Sequence, residues 1–144
     1  MTVPRWTCPA CKRHFGRANQ SHGCAPALTV DDYYDKLDAR LRPTFRRIHD
    51  ALVAHLKKLG PVEVEAVSVG IMLRRSRTFA ELRPRRDRLV LSFLLSRPLA
   101  HQRIAKTLQL SANRMAYFVD LRSVADIDRE LRGWLTEAYA TSPD

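Results

Sequence analysis

At Val62 the apolar residues of this chain change their spacing from three-and-four to two, and this change constrains the fold more than any other feature. Upstream, Phe45, Ile48, Leu52, Leu56 and Leu59 recur as one stripe of an amphipathic helix over roughly residues 43–59, closed by Gly60-Pro61. Downstream, Val62, Val64 and Ala66 alternate with Glu63 and Glu65, as in a half-buried strand. Further strands are expected at Ile71-Met72-Leu73, at Phe79–Arg83 and over Leu89–Ser96, where Leu89, Leu91, Phe93 and Leu95 share a face. Met115, Tyr117, Val119 and Leu121 mark another. Helix, about five antiparallel strands, helix is the pattern of an α+β domain with its helices packed on one face of the sheet.

The flanks carry cap signals. Thr29 with Asp32 three residues on predicts a helix start, and that helix ends before Pro43. Ser123 with Asp126 predicts the start of a last helix striped by Val124, Ile127, Leu131, Trp134, Leu135 and Ala138. "PRRDR" at 84–88 reads as an exposed hairpin connection. Strict alternation beyond Leu73 would bury Arg75 and Arg77, so the register from Arg74 to Thr78 stays open. Residues 98–113 are ambiguous: a helical turn around Arg103–Lys106 is expected, with a short strand near Thr107–Leu110 after it.

Ahead of this unit, residues 1–27 form a separate module, and residues 28–144 the α+β domain. The module spaces its residues as Cys8-x2-Cys11-x10-His22-x1-Cys24. A redox dithiol needs a helix start after a buried strand, and seven residues before Cys8 leave no room for one. Three cysteines cannot all pair, and a cytoplasmic chain keeps its thiols reduced. Zn²⁺ takes four tetrahedral sulfur and nitrogen ligands, which Cys8, Cys11, His22 and Cys24 supply. Gly23 eases the tight one-residue spacing of the second pair, and His14 is an alternative ligand within the loop. Four protein ligands leave no open coordination position, so the zinc is expected to be structural.

The charge is +10, carried by 20 arginines and 5 lysines against 15 acids. Residues 123–144 are net acidic, so the basic excess lies in the module and the body of the domain. An anionic partner is the natural expectation, and arginine's planar fork suits phosphate. The candidate contacts are Lys12, Arg13 and Arg17 on the finger, with Arg74, Arg75, Arg77, Arg83, Arg85, Arg86 and Arg88 in the sheet region. The same run is equally what a solvated charged face would show.

Nothing in the chain argues for catalysis. His14, His22, His49, His55 and His101 form no constellation with the carboxylates, and no phosphate-cradling glycine loop or nucleophile elbow occurs. No apolar run is long enough to span a bilayer and the first residues lack a signal-peptide pattern, so a cytoplasmic location is expected. The leading expectation is a non-enzymatic, zinc-containing protein that binds DNA or RNA through backbone contacts. The alternatives are a protein-interaction module for an acidic partner and an enzyme with a pocket on the sheet.

Several short motifs occur in a recognisable order: W-x-C-P-x-C-x-R-x-F from Trp6, N-Q-x-H-x-C from Asn19, G-P-V at 60–62, P-R-R at 84–86 and W-L-x-E-A-Y from Trp134. Together they resemble the uncharacterised bacterial family known as domain of unknown function 5655. The resemblance implies no activity. It carries over only Cys8, Cys11, His22 and Cys24 as metal positions.

Overall fold

The computed structural model describes residues 6–21 and 28–141. The first segment is a two-stranded hairpin, β1 (Trp6–Thr7) and β2 (His14–Phe15), with Trp6 opposite Phe15. The second runs α1 (Val30–Asp35), α2 (Arg42–Leu59), β3 (Glu63–Val67), β4 (Gly70–Arg74), β5 (Thr78–Pro84), β6 (Leu89–Leu95), β7 (Ile104–Ser111), β8 (Arg114–Leu121), a single 3-10 turn (Val124–Asp126) and α3 (Arg129–Thr141). Strands β3 to β8 make one antiparallel sheet in the order β3-β4-β5-β6-β8-β7.

The register places Ile71, Leu73, Ala80, Leu82, Leu91, Phe93, Tyr117 and Val119 on one face, and all are buried. Helices α2 and α3 cover that face. Ile48, Leu52 and Leu56 of α2 and Leu131 and Leu135 of α3 are fully buried in the same core, each contributing roughly 1.5–3 kcal/mol of transfer free energy. The two helices are also tied together directly. His55 Nε2 lies 3.0 Å from Thr136 Oγ1, and the Tyr139 hydroxyl donates to the Pro61 carbonyl at 2.9 Å. Gly60, at φ +151°, passes so close beneath that hydroxyl that a Cβ would collide with it. Only glycine combines this backbone angle with the approach.

Three expectations are corrected. The sheet has six strands rather than about five, because 104–111 is an edge strand with no helical turn in it. Its pattern was illegible for a physical reason: β7 pairs with β8 alone and every residue after Ile104 is exposed, so no apolar alternation is required of it. The last helix does not start at Ser123. The Asp126 carboxylate turns back to accept from the amides of Arg122 (2.7 Å) and Ser123 (3.2 Å), which closes only the 3-10 turn. Asp128 caps α3 instead, accepting from Leu131 N at 2.9 Å. The first helix is also shorter than the room before Pro43 allowed; Thr29 caps it as expected, at 3.0 Å from Asp32 N, and Pro43 lies in the first turn of α2.

The open register between Leu73 and Thr78 is resolved by a bulge. Leu73 faces Ala80 but Arg74 faces Thr78, so Phe79 is an extra residue on β5. Phe79 thereby joins Ala80 in the core, its ring edge-on to Tyr139 at 5.7 Å. Strand β4 stops at Arg74, and neither Arg75 nor Arg77 is buried as a strand residue.

Candidate nucleic-acid interface and metal knuckle

Trp6 and Phe15 pack at 5.7 Å between ring centroids. The turn between the strands is closed by Cys8 N donating to Arg13 O at 2.9 Å and Lys12 N donating to Cys8 O at 2.8 Å, with Lys12 in the left-handed region at φ 63°. This folds Cys8 and Cys11 inward, at 5% and 2% exposure. Two buried thiols one turn apart at the tip of so small a hairpin are what a metal knuckle needs from this strand pair. The remaining expected ligands, His22 and Cys24, lie outside the described residues. His14 is turned to the Thr7 hydroxyl, 2.9 Å from its Nδ1. Lys12 and Arg17 are exposed, whereas the Arg13 guanidinium lies over the Phe15 ring at 5.4 Å.

The finger lies along the free edge of β3. Lys12, Arg13 and His14 share a cavity of about 300 Å³ with Leu28, Thr29 and the β3 residues Glu63, Val64, Glu65 and Ala66, so two carboxylates face the finger's cations there. Leu28, which bridges to Ala66, also lines a second cavity of about 470 Å³ at the end of the sheet where the β3–β4 turn and the β5–β6 connection meet α1. Its polar lining is Lys36, Arg83 and Arg85, with Ser68 and the ring of Tyr33.

The seven arginines read as one belt fall into two groups at opposite ends of β5, roughly 23 Å apart at a strand's rise per residue. At the near end Arg74 is paired with Glu65 at 2.8 Å, both about one-fifth exposed. Arg75 lies over the Tyr139 ring at 4.4 Å and donates to its carbonyl at 2.9 Å. Arg77 alone of the three is exposed. At the far end Arg88 is paired with Asp87 (2.9 Å) and Asp120 (3.0 Å), and Arg83 sits at 3.4 Å from Glu81. Arg85 and Arg86 are exposed and, among the described residues, make no side-chain ion pair or hydrogen bond. The finger's cavity touches both ends of the sheet: Glu65, which holds Arg74 at the near end, lines it, and Leu28 joins it to the far-end cavity. Only at the far end does it meet arginines that are exposed and unpaired among the described residues.

The family model for a domain of unknown function, DUF5655, matches residues 30–142. The chain belongs to that family. No curated protein and no solved structure matches it. The matched span takes in all three helices and the six-stranded sheet, while the finger hairpin precedes it. No described helix of the DUF5655 domain is long and apolar enough to cross a membrane.

Sequence reasoning missed Lys36 and Tyr33. Lys36 ends α1 as an isolated cation, and no local pattern links it to a hairpin nearly fifty residues later. The titratable groups most perturbed within the DUF5655 domain lie away from both cavities. Burial lowers His49 to about 4 and raises Tyr34 well above the usual tyrosine range. Their rings pack edge-on at 5.1 Å between α1 and α2, and neither the Tyr34 hydroxyl nor His49 Nδ1 has a hydrogen-bond partner among the described residues. Glu65, expected on a solvent face, is half-buried against Arg74.

The sheet face opposite the helices carries Leu94, Ala116 and Phe118, with Leu108 and Leu110 of the edge strand 45% and 52% exposed. These line a shallow apolar groove of about 220 Å³.

Proposed function

We propose that this DUF5655 protein binds nucleic acid through its phosphate backbone, using the finger and the far end of the sheet as one basic track. The observation that carries this reading is the continuity of two neighbouring cavities joined at Leu28. One is lined by Lys12 and Arg13 together with Glu63 and Glu65, of which Glu65 is taken up by Arg74; the other is lined by Lys36, Arg83 and Arg85, and Arg86 stands exposed beside them. Cations on separate elements along one edge suit a repeating anion better than a single point charge. Zinc held by Cys8, Cys11, His22 and Cys24 belongs to the same reading. Its role is structural: it holds a hairpin that has almost no core of its own and so keeps Lys12 and Arg17 in place. A cytoplasmic location, where thiols stay reduced, goes with it.

A salt titration of binding to duplex DNA and duplex RNA tests the proposal. With about six phosphates contacted, log K falls against log[salt] with a slope near −5. No binding to either duplex at low salt would reject it. One observation favours a second reading, a protein partner: the apolar groove at Leu108 and Leu110 on the helix-free face. Capture of an acidic protein by a chain that ignores both duplexes would establish that reading instead.

A further inference from the structure

The far-end cavity is built differently from a simple phosphate track. Its volume of about 470 Å³ falls in the range of small-molecule sites. Its three cations come from three separate places, Lys36 at the end of α1, Arg83 in β5 and Arg85 beyond it; no carboxylate lines the cavity, and the one beside it, Glu81, lies 3.4 Å from Arg83 Nε. Apolar groups line it too: Leu37 and Pro84 beside the cations, and Val69, 52% exposed, on the β3–β4 turn. Tyr33 forms one wall. Its ring is buried to 6% exposure and its hydroxyl has no hydrogen-bond partner among the described residues. Burial raises the hydroxyl's pKa, with Arg83 opposing weakly, so it stays a donor. Gly70 fixes the arginine: a Cβ there would meet the Leu82 carbonyl and lie 3.1 Å from Arg83 Cγ, so the stem of Arg83 runs directly over the start of β4.

Three cations and a hydroxyl around one space, with apolar side chains among them, suit a compact dianion attached to a flat or apolar body. A phosphate monoester carries about −1.5 to −2 at neutral pH, whereas each diester along a strand carries one charge. We propose that this cavity binds the terminal phosphate of a nucleotide, the phosphate among Lys36, Arg83, Arg85 and the Tyr33 hydroxyl and the nucleoside against Val69, Leu37 and Pro84. This deepens the nucleic-acid reading and rests on it for the nucleoside part. The shared chemistry is a nucleoside monophosphate, free or at the end of a strand.

The test measures binding by the full chain of single-stranded octamers bearing a 5′-phosphate, a 3′-phosphate or only hydroxyl ends. AMP, UMP and inorganic phosphate serve as competitors. One of the phosphorylated octamers is expected to bind about tenfold tighter than the hydroxyl-ended one. AMP or UMP, but not inorganic phosphate, should remove that difference. Tyr33→Phe, which keeps the ring edge-packed on Tyr34 at 5.5 Å, should reduce the preference several-fold, and Lys36→Ala should abolish it. Equal binding of all three octamers overturns the proposal, even where the duplexes bind with a steep salt slope and the backbone reading stands. A terminal-phosphate preference without duplex binding upholds the cavity and rejects the backbone track. Inorganic phosphate competing as well as AMP and UMP would show an anion spot without a nucleoside subsite, which also overturns it. Unchanged preference in both variants would place the phosphate elsewhere and do the same.

Discussion

The two ends of β5 hold similar numbers of arginines and use them in opposite ways. At the Thr78 end, Arg74 is paired with Glu65 at 2.8 Å and Arg75 is clasped by Tyr139, so both arginines hold strands and α3 together. At the Pro84 end, Arg85, Arg86 and Lys36 stand exposed, while Arg88 is paired with Asp87 and Asp120 and Arg83 with Glu81 at 3.4 Å. Charge counted along a sequence therefore overstates charge available to a partner. What decides availability is whether register and helix packing bring a carboxylate, a carbonyl or a ring within reach.

The contrast can be sharpened most strongly from the finger, which the proposed track joins to the available end. Chelation of zinc, or Cys11→Ser, should unfold residues 6–21 and release Lys12, Arg13 and Arg17 from the track. If each contacts a phosphate, the salt slope drops by about 2.7. The DUF5655 domain, with its own core, should melt as before. Elemental analysis of freshly isolated reduced protein, with circular dichroism before and after chelation, checks this. Protein that never contained metal would remove the finger's role.

Acid should loosen the helix that carries Lys36. His49 is buried against Tyr34 of α1, with Asp50 favouring its charged form and Arg46 and Lys57 opposing it. Its folded pKa of about 4 lies below the ordinary 6.5, so the unfolded chain binds more protons between these values. Its contribution is complete above pH 6.5 and is lost as the pH falls through about 4, amounting to about 3 kcal/mol. Urea midpoints at pH 7 and 4.5 should differ accordingly, and His49→Leu should flatten much of that difference. An equal pH dependence in the variant would assign the effect to the carboxylates.

Gly70→Ala acts on the same end by crowding. With Leu82's carbonyl and Arg83's stem in the way, it should destabilise the domain by about 1–3 kcal/mol. It should weaken binding more than its stability cost explains, because Arg83 is displaced; unaltered binding by folded variant protein would detach Arg83 from the site. Arg75→Ala at the other end should cost about 1 kcal/mol through its lost ring and carbonyl contacts. It should leave the salt slope unaltered, and a shallower slope would show Arg75 reaching the ligand.

Much of the fold was legible because burial leaves a period. The α2 stripe and the strands β4, β5, β6 and β8 have one face in the core, and their apolar residues recur accordingly. Strand β7 was read only as a short piece near Thr107–Leu110 because both its faces are exposed, and the Phe79 bulge was missed because an added residue breaks alternation without leaving a signal of its own. The thiol pair was legible from spacing, since Cys8 and Cys11 are close in sequence as well as in space. The division of the arginines was not. Glu65 and Tyr139 are remote in sequence from the arginines they hold, as Lys36 is from Arg85.

The most direct measurement compares charge reversal at the two ends in one salt titration on duplex nucleic acid. Arg85→Glu/Arg86→Glu and Arg77→Glu alter exposed arginines that make no ion pair or hydrogen bond through their side chains among the described residues. The expected result is a slope reduced from about −5.4 to about −3.6 for the hairpin pair, with Arg77→Glu matching the unmodified protein. Equal weakening by Arg77→Glu, or no effect from the hairpin pair, would contradict the assignment of nucleic-acid binding to the finger and the Pro84 end.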